Sequence, residues 1–213
     1  MEICKIGSKI VAWKINKSEK VSDGNSTRPN EITHSKAPKR PDELTCDIKK
    51  AKVQGEQWTL FIGLFDGFPY EIFGGLSKYV DIPNKYKTGK IIKGSKKEGI
   101  SSYNVVVGAG EDQMIIKDIA SVFENATNGA FSRTISLSLR HGVPAQYIVE
   151  QLQKDKYSGL TSYSKVMARV LKDYIVDGTS PSSEKKCPEC KGENTLTYQA
   201  GCLDCKSCGW TKC

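Results

Sequence analysis

From Leu44 onward the apolar positions come in short β-rich runs, LTCDIKKAKV, WTLFIGLF and YEIFGGL, parted by the Gly-containing turns QGEQ and DGFP. Such spacing predicts an antiparallel β-meander. The run at 58–65 is almost continuously apolar, as for a central strand covered on both faces, and Asp66-Gly67 supplies the positive-φ chemistry of a tight hairpin turn. A further hairpin is predicted from 89–94 to 103–107, with the basic stretch KGSKKEG as its exposed tip. After Gly110 the period lengthens to that of helices. Met114, Ile115, Ile119 and Val122 fit one stripe, Phe131, Ile135 and Leu139 recur every four residues, and Ile148 and Leu152 follow. Val166, Met167, Val170, Leu171 and Ile175 make a last amphipathic helix. Within this region Arg140-His141-Gly142-Val143-Pro144 reads as a helix stop and restart, with Gly142 in the left-handed cap, Pro144 opening the next helix, and His141 as a last-turn cap rather than a ligand. Strands followed by four helices predict an α+β fold, an antiparallel β-meander followed by a helical layer.

The flanks have a different texture. A short strand is predicted around Ile10, Val11, Trp13 and Ile15, followed by KSEKVSDGNSTRPNEITHSKAPKRPDE, which has too few large apolar residues to offset its ordering entropy. Residues 1–43 therefore read as a basic arm or linker, 44–178 as the α+β domain, 179–186 (within DGTSPSSEKK) as a second linker, and 187–213 as a separate tail. No run of about 18 apolar residues occurs, and lysines interrupt the N-terminus, so neither a membrane span nor a secretory signal is predicted and the expected location is the cytoplasm. With 213 residues the chain is too short for a large catalytic barrel. A net charge of +8 suits phosphate-bearing partners. Against nucleic acid stand an aromatic content of 8% and a tail with no basic–aromatic stripe, so a nucleic-acid-binding ribbon is the weaker alternative. Gly74-Gly75 and the basic tip could approach a phosphate, but a glycine pair at a strand end is ordinarily a turn.

Six of the eight cysteines lie at 187, 190, 202, 205, 208 and 213. Separated Cys-x-x-Cys units in a chain without a secretory signal read as zinc ligands, so the tail is expected to be a small zinc ribbon whose metal supplies the folding energy that so short a segment lacks. Two ligand sets fit. Cys187, Cys190, Cys205 and Cys208 use the knuckle followed by Gly209 and leave Cys202 and Cys213 free; Cys187, Cys190, Cys202 and Cys205 leave Cys208 and Cys213 as a Cys-x4-Cys dithiol. Either way two thiols are spare, and with Lys206 and Lys212 nearby they invite thiol–disulfide exchange. Cys4 and Cys46 stand alone.

Taken in order, WTLFIGLFDGFPYEIFGG, NGAFSRTISLSLRHGVPAQYIVEQL and the ending CPECKGENTLTYQAGCLDCKSCGWTKC resemble the C-terminal region of adenosylcobalamin-dependent (class II) ribonucleotide reductases, a TSCPD-type domain followed by a zinc-binding tail. The resemblance covers residues 38–213. It implies that Cys208 and Cys213 match the redox shuttle pair, with Cys202 and Cys213 as the alternative, and that a thioredoxin-like reductant recycles them. It implies adenosylcobalamin and the thiyl-radical barrel elsewhere, since neither fits here: either on a separate catalytic chain, as after a gene split, or in the remainder of a longer reductase of which this sequence is a fragment, the gene split being the favoured reading. The expected role is then a docking and reductant-delivery component for deoxyribonucleotide synthesis; a purely structural scaffold is the competing role.

Overall fold

The computed structural model describes residues 36–53, 55–97, 99–123, 126–154 and 163–213; the strand expected around residues 10–15 and the arm up to residue 35 lie outside them. Residues 35–213 form one compact unit. Its first part is a six-stranded antiparallel sheet of β1 (Glu43–Val53), β2 (Glu56–Phe65), β3 (Phe68–Leu76), β4 (Thr88–Lys97), β5 (Ile100–Val107) and β6 (Met114–Ile116), in the order β3-β2-β1-β4-β5-β6. The helices α1 (Ile119–Val122), α2 (Ala126–Arg140), α3 (Ala145–Gln153) and α4 (Tyr163–Leu171) follow, and the fold is α+β as expected. The meander is in two halves. Residues 77–87 carry the chain from β3 back to the free side of β1, burying Val80 and Ile82 on the way, and β4 pairs there from Glu43↔Ile92 to Asp47↔Thr88.

Alternation along β2 explains why its run is continuously apolar. Trp58, Leu60 and Ile62 face the helices with Ile135, Val149, Val166 and Met167, while Phe61 faces a second core of Cys46, Ile48, Ile91, Val105 and Val107, closed by Ile119 and Phe123. The second core exists because the sheet curls. In a flat sheet β3 and β5 would lie about 19 Å apart, yet the rings of Phe73 and Tyr103 are 5.1 Å apart. At this seam Arg40, the last residue but three of the expected arm, binds the buried Glu71 through Nε (2.9 Å) and Nη2 (2.6 Å), and Arg140 reaches the same carboxylate at 3.1 Å. The end of the arm is thus part of the folded unit.

Two local expectations change. Met114–Ile116 is a strand and not helix, because Gly108 and Gly110 at φ 78° and 61° turn the chain back so that Val105↔Ile116 and Val107↔Met114 pair, and Asp118 at φ 46° breaks any helical continuity with α1. Gly74 and Gly75 lie inside β3 and answer to packing: a Cβ on Gly75 would sit 2.2 Å from the Phe123 ring, and one on Gly74 2.9 Å from the Tyr163 hydroxyl. The helix stop is as read, with Gly142 at φ 76° and the Gly142 and Val143 amides donating to Leu139 and Ser138 carbonyls.

The last part is a three-stranded sheet of β7 (Leu196–Gln199), β8 (Cys202–Cys205) and β9 (Thr211–Lys212), in that order. It does not hang from a tether. Leu196, Tyr198, Leu203, Cys187 and Cys205 share one apolar cluster with Ile148, Met167 and Leu171. The expected linker is bonded on both sides: Gly178 N–H to Tyr198 O and Tyr198 N–H to Thr179 O, each 2.8 Å, Gln146 Nε2 to Ser180 O at 2.7 Å, and Ser182 N–H to Glu150 Oε1 at 2.9 Å.

Candidate metal and disulfide centre

Two turns of the same construction meet here. In the first, Lys191 N–H donates to Cys187 O at 3.0 Å and Lys191 takes φ 60°; in the second, Gly209 N–H donates to Cys205 O at 3.0 Å and Gly209 takes φ 75°. Each turn wraps backbone around a Cys-x-x-Cys pair. The four sulfurs of Cys187, Cys190, Cys205 and Cys208 all lie within 4.8 Å of one another, with Cys187–Cys208 and Cys190–Cys205 both at 3.7 Å. A tetrahedron with metal–sulfur bonds of 2.3 Å has edges of about 3.8 Å. Donor chemistry and spacing both fit a zinc-sized ion, so these residues could hold a metal.

The thiols are unequal. A hydrogen bond with the Thr195 hydroxyl, together with the Cys208 and Ser207 amides, outweighs burial and brings Cys205 down to about 6. At Cys208 the Trp210 amide favours the thiolate, but burial and the neighbouring sulfurs of Cys205, Cys190 and Cys187 push the thiol up to about 12. Four sulfurs in one place do not all ionise without a cation between them.

The two remaining tail cysteines form a disulfide, Cys202–Cys213, with Cα atoms 4.4 Å apart. Strand parity separates it from the cluster. In β8 Cys202 and Cys205 are an odd number of residues apart and project to opposite faces. β9 pairs with β8 at Leu203↔Lys212 and Asp204↔Thr211, which brings Cys213 beside Cys202. Of the expected residues, Cys187, Cys190, Cys205 and Cys208 are thus brought together, and so are Cys202 and Cys213. Cys208 and Cys213 are not: they belong to different features. Strand parity is the signal that could have chosen between the two ligand sets, had β8 been placed.

A groove of about 460 Å³ runs along the disulfide, lined by Cys202, Cys213, Gln153, Lys165, Arg169 and Lys172 among others. Arg169 and Lys172 come from α4 and the turn after it, some thirty to forty residues before the cysteines, and nothing local in the sequence marks them. Lys172 donates from Nζ to the Cys213 carbonyl. Desolvation first, then the charges of Lys212 and Arg169, lower its pKa. Lys212 itself lies 3.9 Å from Glu184. Cys46 is buried in the second core, and burial above all, with Asp47, pushes its thiol up to about 12. Cys4 lies outside the described residues. Among the described residues no helix is long and apolar enough to cross a membrane.

An antiparallel sheet with α2, α3 and α4 on one face and the short α1 on the other, followed by a small cysteine-bearing sheet, is the class of protein these elements define. The chain belongs to the NrdJ homologue C-terminal domain family, whose model matches residues 44–176, and NrdJ is the adenosylcobalamin-dependent class II ribonucleotide reductase. No curated protein and no solved structure matches the chain.

Proposed function

We propose that this chain is the reductant-delivering component of a class II ribonucleotide reductase. It docks on a separate catalytic chain that holds adenosylcobalamin and reduces that chain's oxidised cysteine pair through Cys202 and Cys213. Those two thiols become the disulfide, and a thioredoxin-like dithiol in the cytoplasm reduces it again. Residues 44–178 are the docking body, 179–186 the join, and 187–213 the redox part. Zinc on Cys187, Cys190, Cys205 and Cys208 keeps the small sheet folded. Cys208, which the resemblance implies as a shuttle residue, is in this reading a metal ligand.

The observation that carries the proposal is the Cys202–Cys213 disulfide, set apart from the four-thiol cluster in a chain of this family. Its test is turnover by the catalytic chain that co-purifies with this one, supplied with adenosylcobalamin, ribonucleotide and a dithiol reductant system. With wild-type chain, product is expected to accumulate over many rounds; with Cys202→Ser or Cys213→Ser it stops after the single round that the pre-reduced active site allows. Undiminished turnover by both variants would reduce the chain to a scaffold, and failure to recover any catalytic chain would remove the docking role.

A further inference from the structure

The groove beside Cys202–Cys213 is lined by three cationic side chains, Lys165, Arg169 and Lys172, against one carboxylate side chain, that of Asp173. Arg169 Nη1 donates to the Lys52 carbonyl at 2.9 Å, and Lys172 Nζ to the Cys213 carbonyl. The Lys52 carbonyl is a neutral oxygen, so Arg169 keeps its full charge there. Asp173, the carboxylate among the lining residues, is tied to Lys49 at 2.8 Å. The depressed pKa of Lys172, caused by desolvation and by Lys212 and Arg169, reports the same crowding of like charge. Both disulfide cysteines line this groove, and Cys213 is exposed while Cys202 is half-buried.

We propose that Arg169 and Lys172 form the recognition surface for an acidic thiol partner, a protein dithiol whose attacking cysteine is flanked by carboxylates. This rests on the redox reading of Cys202 and Cys213 above. The partner's carboxylates meet the two cations, which fixes its thiolate over the exposed Cys213 sulfur. That thiolate attacks Cys213 Sγ, a new S–S bond forms as the Cys202–Cys213 bond breaks, and Cys202 leaves as a thiolate in the field of the same cations. The partner's second thiolate then attacks its own sulfur in the mixed disulfide and releases Cys213. Two electrons have passed, the partner ends as a disulfide, and Cys202 and Cys213 take up protons from solvent.

The test compares reduction of the disulfide in the full, zinc-loaded chain by two cysteine peptides, one flanked by aspartates and one by lysines, with rates expressed per thiolate. At low salt the acidic peptide is expected to react about tenfold faster or more, because a focused positive potential raises the local concentration of anions by that order. The ratio should shrink as added salt shortens the screening length. Arg169→Gln and Lys172→Gln together should bring it close to one, whereas Lys85→Gln, a substitution at an exposed lysine outside the groove, should leave it intact. Equal rates for the two peptides, or a preference that survives loss of both groove cations, would overturn the proposal. Zinc content and the circular dichroism spectrum of each variant show whether its fold is kept; if the double variant fails that check, the single variants and the salt series decide. The peptide preference needs no catalytic chain, so its failure is separate from a failure of the turnover assay.

Discussion

Cys46 and the tail cysteines show how placement decides what a thiol does. Burial in the second core raises the Cys46 thiol from 9.0 to about 12. Between those values the unfolded chain releases a proton that the folded chain keeps, so the folded state binds more protons and stability falls as pH rises, by up to about 1.4 kcal/mol per pH unit. Burial also pushes up the phenols of Tyr163, Tyr174 and Tyr198, the last to about 12, and they add the same sign at higher pH. In urea unfolding of the zinc-loaded protein, the stability of wild type relative to Cys46→Val is expected to be constant from pH 7 to 8.5 and to decline steadily above 9, the metal-linked protons of the tail cysteines cancelling in the comparison. In the tail, residue type and spacing announced a four-cysteine site and two spare thiols. They did not say which, because Cys202 and Cys208 are equivalent in spacing until β8 assigns the faces of Cys202 and Cys205.

At the scale of elements, periodicity located the first five strands and three of the helices, and it failed where a stripe was short. Met114 and Ile115 suit a helix as well as an edge strand; the turn glycines at 108 and 110 and the left-handed Asp118 decide for the strand. The curl of the sheet was not legible either, since it depends on contacts between β3 and β5, which are distant in sequence, and on an arginine in a segment that reads as polar linker. Gly75 is where the curl and the helices meet. Its missing side chain lets Phe123 pack closely against β3, so Gly75→Ala must displace either the ring or the strand. Overpacking of this kind costs about 1–3 kcal/mol. Thermal melts should show that loss in Gly75→Ala, and a smaller loss in Gly75→Ala combined with Phe123→Leu than the two single effects would sum to, because the ring responsible for the clash is gone.

For the whole molecule the question is what moves when electrons do. A tail on a free linker would swing its thiols to a distant site, but here residues 178–182 are sealed to α3 and β7, and the small sheet shares its core with Met167 and Leu171. Swinging that sheet away would expose Leu196, Tyr198 and Leu203 together, at about 1.5–3 kcal/mol for each large apolar side chain uncovered. Reduction of the disulfide needs far less. β9 has two residues and holds β8 through two pairings, so breaking Cys202–Cys213 frees the last few residues alone. Amide hydrogen exchange on the zinc-loaded chain separates the two motions. Reduction is expected to speed exchange within 209–213 while the Gly178, Ser182 and Tyr198 amides stay as protected as the rest of β7. On the proposed zinc reading, stripping the metal should speed both, since Cys187 and Cys205 lie in the shared core and a metal bound there would supply folding energy to that segment. Exchange at Gly178 and Tyr198 that rises on reduction alone would mean that the whole small sheet leaves its seat. If those amides hold, the delivery proposed above takes place at a docked surface, with Cys213 as the short reaching arm and Cys202 fixed in β8.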